Sequence, residues 1–129
     1  MQVKRYRDLI AWQKAIALVA HIYAVTAAFP RDEIYGLTSQ LRRAAVSVPS
    51  NIAEGPGRAS TGEFTQFLCQ ARCSLFEVET QLILSMNLGY TTVEQQEMLS
   101  DEVCELGRIL NGLITSLQQK RTRRLATSH

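Results

Sequence analysis

Apolar residues return every three or four positions along most of this chain, the spacing of one face of an α-helix. The repeat breaks at Phe29-Pro30, at Gly55-Pro56-Gly57 and at Leu88-Gly89, where proline or glycine ends a helix. Four helices are therefore predicted, at about 8–28, 34–54, 60–89 and 92–120. Asp8 is a good N-cap for the first. Ser60, with Glu63 three residues later, forms a capping box for the third, and Thr91 or Thr92, followed by Glu94 or Gln95, does the same for the fourth. Glycine and proline gather at the breaks rather than at the close spacing of a β protein, so the fold class is all-α. Short connections between long helices favour an antiparallel up-down-up-down bundle spanning 1–120, followed by a flexible basic tail, 121–129.

The second helix carries a single apolar face: Leu37, Leu41, Ala44, Ala45, Val48 and Ile52. Beside it runs a polar row of Gln40, Arg43, Ser47, Asn51 and Glu54. The third helix repeats the arrangement, with Phe64, Phe67, Leu68, Ala71, Leu75, Val78 and Leu82 next to Glu63, Gln66, Gln70, Ser74, Glu77 and Gln81. The two polar rows can meet across an antiparallel pair as a mixed seam. In the fourth helix the apolar positions are Met98, Val103, Leu106, Ile109, Leu110, Leu113, Ile114 and Leu117.

The first helix is apolar on more than one side. Leu9, Trp12, Ile16, Val19, Ala20, Tyr23 and Ala27 make one stripe, and Ile10, Ala17, Leu18, Val25 and Ala28 make another. A monomeric bundle buries one side only. Either Ile10, Ala17, Leu18 and Val25 meet another subunit or the whole helix is deeply buried, and the pattern leaves both open.

One stretch, "SVPSNIAEGPGR" from Ser47 to Arg58, goes against helix chemistry. A proline inside a helix costs about 3 kcal/mol, and a carboxylate at the negative C-terminal end is electrostatically disfavoured. Glu54 is therefore expected to lie against Arg58 and the positive N-terminus of the third helix.

A chain of 129 residues suits one domain with an ordinary core. Its start is basic and then apolar, as in a secretory signal, but Trp12-Gln13-Lys14 interrupts the run and the spacing is that of an amphipathic helix. The run is too short and too polar to span a bilayer, so a cytoplasmic protein with no membrane partner is expected. Cys69, Cys73 and Cys104 are odd in number and are read as reduced, buried small hydrophobes. With His21 they could supply four metal ligands, but the CxxC knuckle is missing and no metal or cofactor is expected. The chain has no phosphate loop, no HExxH and no nucleophile elbow. Glu54 and Glu77 could be read as an acid/base pair, yet their rows read more simply as seam contacts. A non-catalytic protein without a small-molecule substrate is expected.

The net charge of +2 conceals an asymmetry. Lys4, Arg5 and Arg7 at one end and Lys120, Arg121, Arg123 and Arg124 at the other account for seven of the 14 basic residues and none of the 12 acidic ones, so the ends carry +7 and the body −5. In an up-down-up-down bundle both termini emerge beside the loop between the second and third helices, where Arg58 lies. These eight cations form one basic end that can attract phosphate. An alternative is that the tail only aids solubility and the chain is a protein-interaction scaffold without nucleic-acid contact.

The segments "WQKA" (12–15), "FPRDEIYGLTSQLRRAAVSVPSNIAEGPGR" (29–58) and "SLFEVETQL" (74–82) closely resemble the bacterial four-helix bundle family that includes the 23S rRNA intervening-sequence proteins. The accessory variability proteins of diversity-generating retroelements look like relatives. The resemblance implies a ring-like homo-oligomer, usually a pentamer, associated with RNA or a nucleoprotein. It also implies that Arg42, Arg43, Ser47, Asn51 and Glu54 are characteristic polar positions with structural or interfacial roles. Cys73 stands where relatives often have glycine, and the acidic body departs from a wholly basic surface.

Overall fold

The computed structural model describes residues 5–127. Four helices succeed one another: α1 (Ile10–Thr26), α2 (Leu37–Glu54), α3 (Thr61–Asn87) and α4 (Val93–Thr127). Short 3-10 turns occupy Tyr6–Asp8 and Arg31–Glu33, and no strand occurs among the described residues. Each helix packs on its two neighbours in cyclic order, and among the described residues neither diagonal pair brings Cα atoms within 8 Å of each other. Pairings across the seams run antiparallel: Lys14 with Glu105 and His21 with Glu102 join α1 to α4, at 2.9 and 2.7 Å. Ser47 meets Ser74 at 2.8 Å between α2 and α3, and Arg72 donates to Asn111 at 2.9 Å between α3 and α4.

Local chemistry explains most of the boundaries. The Ser60 hydroxyl accepts the Glu63 amide at 3.1 Å, as the spacing predicts. Thr92, not Thr91, caps α4: its hydroxyl accepts from the Gln95 amide at 3.1 Å while Gln95 Oε1 accepts from the Thr92 amide at 3.0 Å. Asp8 does not cap α1. It lies in the preceding 3-10 turn, and Leu9 enters the helix without a side-chain cap. α2 starts three residues later than its pattern suggests, because Arg31–Glu33 form their own turn and the Glu33 carboxylate accepts the Leu37 amide at 3.1 Å. α4 runs past residue 120, so 121–127, expected as a tail, are helical.

The core lies where α2, α3 and α4 each present one apolar stripe. Leu41, Val48 and Ile52 from α2, Leu68, Leu75 and Val78 from α3, and Leu99, Leu106 and Leu110 from α4 are wholly or almost wholly buried. Each such side chain contributes about 1.5–3 kcal/mol relative to exposure. α1 turns a different face inward from either stripe read in the sequence: Ala11, Ala15, Leu18, Ile22 and Val25 are buried. Leu18 (1% exposed) and Val25 (6%) therefore belong to the core and are not available to another subunit, which corrects the expected interface of Ile10, Ala17, Leu18 and Val25. Ile10, 61% exposed, and Ala17 remain at the surface. The reason is steric: alanines at 11 and 15 let α1 approach its neighbours closely, while the larger Trp12, Ile16 and Tyr23 fit only at the rim.

Candidate nucleic-acid interface

The turn between α2 and α3 is built on a close approach. A Cβ on Gly55 would lie 2.5 Å from Phe64 Cδ1, so only glycine lets the end of α2 rest on the first turn of α3. This packing returns the chain sharply and places Arg58 beside Glu54. Arg58 donates to Glu54 Oε2 at 2.5 Å, four residues back, and its guanidinium lies 4.5 Å from the centre of the Phe67 ring. The disfavoured carboxylate at the helix end is thus offset by a cation fixed over α3. Asn51 has a different task. Its Nδ2 donates to the Ser47 carbonyl at 2.9 Å and to the Ser47 hydroxyl at 3.1 Å, which extends the Ser47–Ser74 link. α2 runs unbroken through Pro49, whose ring is buried.

Two other segments reach this end. Arg121, on α4, lies against α3, its Nη1 3.2 Å from where a Gly62 Cβ would be. Tyr6 shares a cleft with Pro49, Ser50 and Ala53 near the end of α2, which brings Arg5 and Arg7 to the same pole. α4 then continues about 9 Å beyond the level of Gly62, at 1.5 Å per residue. Seven described cations, Arg5, Arg7, Arg58, Lys120, Arg121, Arg123 and Arg124, gather here against Asp8, Glu54 and Glu63. All seven are exposed. Lys4 lies outside the described residues.

The opposite pole has no such surplus. Glu33 Oε2 accepts the Tyr90 hydroxyl at 2.9 Å, and the Tyr90 ring packs 5.4 Å from that of Phe29. The bond to Glu33 raises the Tyr90 pKa above its ordinary value, helped by partial desolvation and by the charges of Glu33 and Asp32.

Of the polar positions on α2, Arg42 is the most constrained. Its Nε donates to Thr26 Oγ1 at 2.8 Å, its Nη2 to the Tyr23 carbonyl at 3.3 Å, and its guanidinium covers the Tyr23 ring at 4.5 Å. Arg43, next to it, is exposed. Both line a concavity of about 450 Å³ with Tyr23, Ile34, Thr38 and Val46. A second, apolar cleft of about 260 Å³ continues from Val46 past Trp12, Ile16, Val19 and Pro49. This groove between α1 and α2 is not legible as a surface in the sequence, where Trp12 and Ile16 fall in one continuous apolar stripe.

Elsewhere the candidate chemistry is dispersed. The register across α2 and α3 separates Glu54 from Glu77 by about 15 Å. Cys69 is half-buried, whereas Cys73 and Cys104 are exposed rather than packed inside. Among the described residues no group of three or more His, Cys, Asp or Glu side chains is placed to hold a metal ion, and no helix is long and apolar enough to cross a membrane.

The family model described as 23S rRNA-intervening sequence protein matches residues 7–112. A crystal structure of a protein of unknown function from the S23 ribosomal protein family of Bacteroides thetaiotaomicron VPI-5482 is similar to this fold, with a TM-score of 0.75 and 22% sequence identity over 82% of this chain and 96% of that one. No curated protein matches the chain.

Proposed function

The chain belongs to the 23S rRNA-intervening sequence protein family, and from that premise we propose that it is a non-catalytic homo-oligomer that associates with RNA through its basic pole. The observation that carries this reading is Arg121 lying against Gly62, since it gathers cations from distant parts of the sequence onto one surface. Scattered cations would each meet a phosphate weakly. Gathered cations add their potentials, and copies arranged about an axis add them again. Glu54 neutralises Arg58 in part, so the attraction rests mostly on Arg5, Arg7 and the end of α4. That end is a helix, which holds its side chains at fixed spacing and lowers the ordering cost of binding.

Truncation after Gln119 removes Lys120, Arg121, Arg123 and Arg124 and leaves the buried Leu117 in place. The shortened chain is expected to keep its fold and to bind structured RNA about tenfold more weakly at low salt. The plot of log affinity against log salt should flatten by about 0.7 to 0.9 for each phosphate no longer neutralised. Unchanged affinity and slope overturn the reading and favour a protein-interaction scaffold.

A further inference from the structure

The bundle has two unlike sides that face away from each other. One is the groove between α1 and α2, apolar at Trp12, Ile16 and Val46 and basic at Arg42 and Arg43. Among the described residues Arg42 is held only by neutral groups, the Thr26 hydroxyl, the Tyr23 carbonyl and the Tyr23 ring, so its charge is oriented without being neutralised. Arg43 has no partner among the described residues. The other side is the outer edge of α3 next to α4. Arg72, Phe76, Glu79 and Ile83 follow one another there at helical spacing, and the bond from Arg72 to Asn111 fixes this edge against α4. Phe76 is 56% exposed and Ile83 52%, and Glu79 between them has no partner among the described residues.

The internal register places these features at matching heights. Ser47 faces Ser74 across the α2–α3 seam, so four or five residues up α2 and the corresponding length along α3 bring Arg42 and Arg43 level with Glu79. By the same count Val46 is within one residue of the level of Phe76, beside the apolar cleft. Rotation about an axis parallel to the bundle preserves height, so a copy turned about such an axis presents Glu79 to the arginines and Phe76 to the cleft together.

We infer that the α1–α2 groove of one copy receives the Phe76–Ile83 edge of the next, with Phe76 seated in the apolar cleft and Glu79 paired to Arg43 and Arg42. The inference rests on the homo-oligomer reading above and adds to it which faces meet. Because the two faces differ, the contact is head-to-tail and makes a ring where the rotation between copies closes, rather than pairing two identical patches. Charge reversal is the direct probe, since leaving a carboxylate or guanidinium opposite its own sign disfavours the association.

The test is the mass of the full chain and its variants in native mass spectrometry, with thermal unfolding followed in parallel. The wild type is expected at a multiple of 14.5 kDa. Glu79→Arg and Arg43→Glu are each expected to fall to the single-chain mass with unchanged unfolding, and the double variant to regain the wild-type mass. An oligomeric wild type whose Glu79→Arg variant keeps its mass, or a double variant as dispersed as the singles, overturns this pairing and leaves the oligomer standing. A wild type of single-chain mass overturns the oligomer itself.

Discussion

The two poles of the bundle use charge in opposite ways. Where α1 meets α2 and α3 meets α4, the polar groups are turned on one another: Glu33 takes both the Leu37 amide and the Tyr90 hydroxyl, and Phe29 covers the tyrosine ring. At the other pole, Gly55 and Phe64 approach most tightly, one carboxylate is paired with Arg58, and cations outnumber the acids that could answer them. A pole that satisfies its own groups stabilises the fold. A pole with charge left over has something to offer a partner, and that difference locates the proposed RNA contact.

Substitutions can sharpen the contrast. The largest effect on stability is expected at the closed pole. Phe29→Ala removes a buried ring and should destabilise the chain by about 3–5 kcal/mol in chemical denaturation. Gly55→Ala at the basic pole is next: its methyl group would collide with the Phe64 ring, and relief by shifting α2 from α3 should cost about 1–3 kcal/mol. If Gly55→Ala were neutral, the close approach would not be what sets the turn.

The smallest effect concerns pH at the closed pole. The Tyr90 pKa is raised in the folded chain, so its protonated hydroxyl stabilises the fold fully below the ordinary tyrosine value of about 10, and this contribution is lost as pH rises through the higher folded value. Thermal unfolding should therefore show the wild type more stable than Tyr90→Phe at neutral pH, with the gap narrowing on the alkaline side. A gap that stays constant would mean that the hydroxyl bond to Glu33 does not distinguish the two protonation states.

α1 and α2 differ in how far their sequences reveal their packing. α2 has one apolar stripe, and Leu37, Leu41, Ala44, Ala45, Val48 and Ile52 are all buried as its pattern predicts. α3 likewise buries Leu68, Ala71, Leu75, Val78 and Leu82. On α1 the pattern has no single phase, because alanines and large aliphatics surround the axis. Hydrophobicity alone ranks Trp12 and Ile16 above Ala11 and Ala15, yet the core took the alanines. The candidate site divides in the same way. Arg58 beside Glu54 is legible because the two lie close in sequence across the turn that ends α2, whereas the groove of Trp12, Val46 and Arg43 joins two helices whose relative rotation no local spacing encodes.

By itself the sequence determined the all-α class, the number of helices, the cap at Ser60, a threonine cap for α4 at 91 or 92, and the inward faces of α2 and α3, since these follow from periodicity and from hydrogen bonds within a few residues. Only tertiary structure decided which side of α1 is core, that Arg121 comes to rest on Gly62, and that Glu79 stands level with Arg43. Those outcomes depend on how closely whole helices approach and at what register, which is settled by volumes meeting across the bundle rather than by any stretch of chain alone.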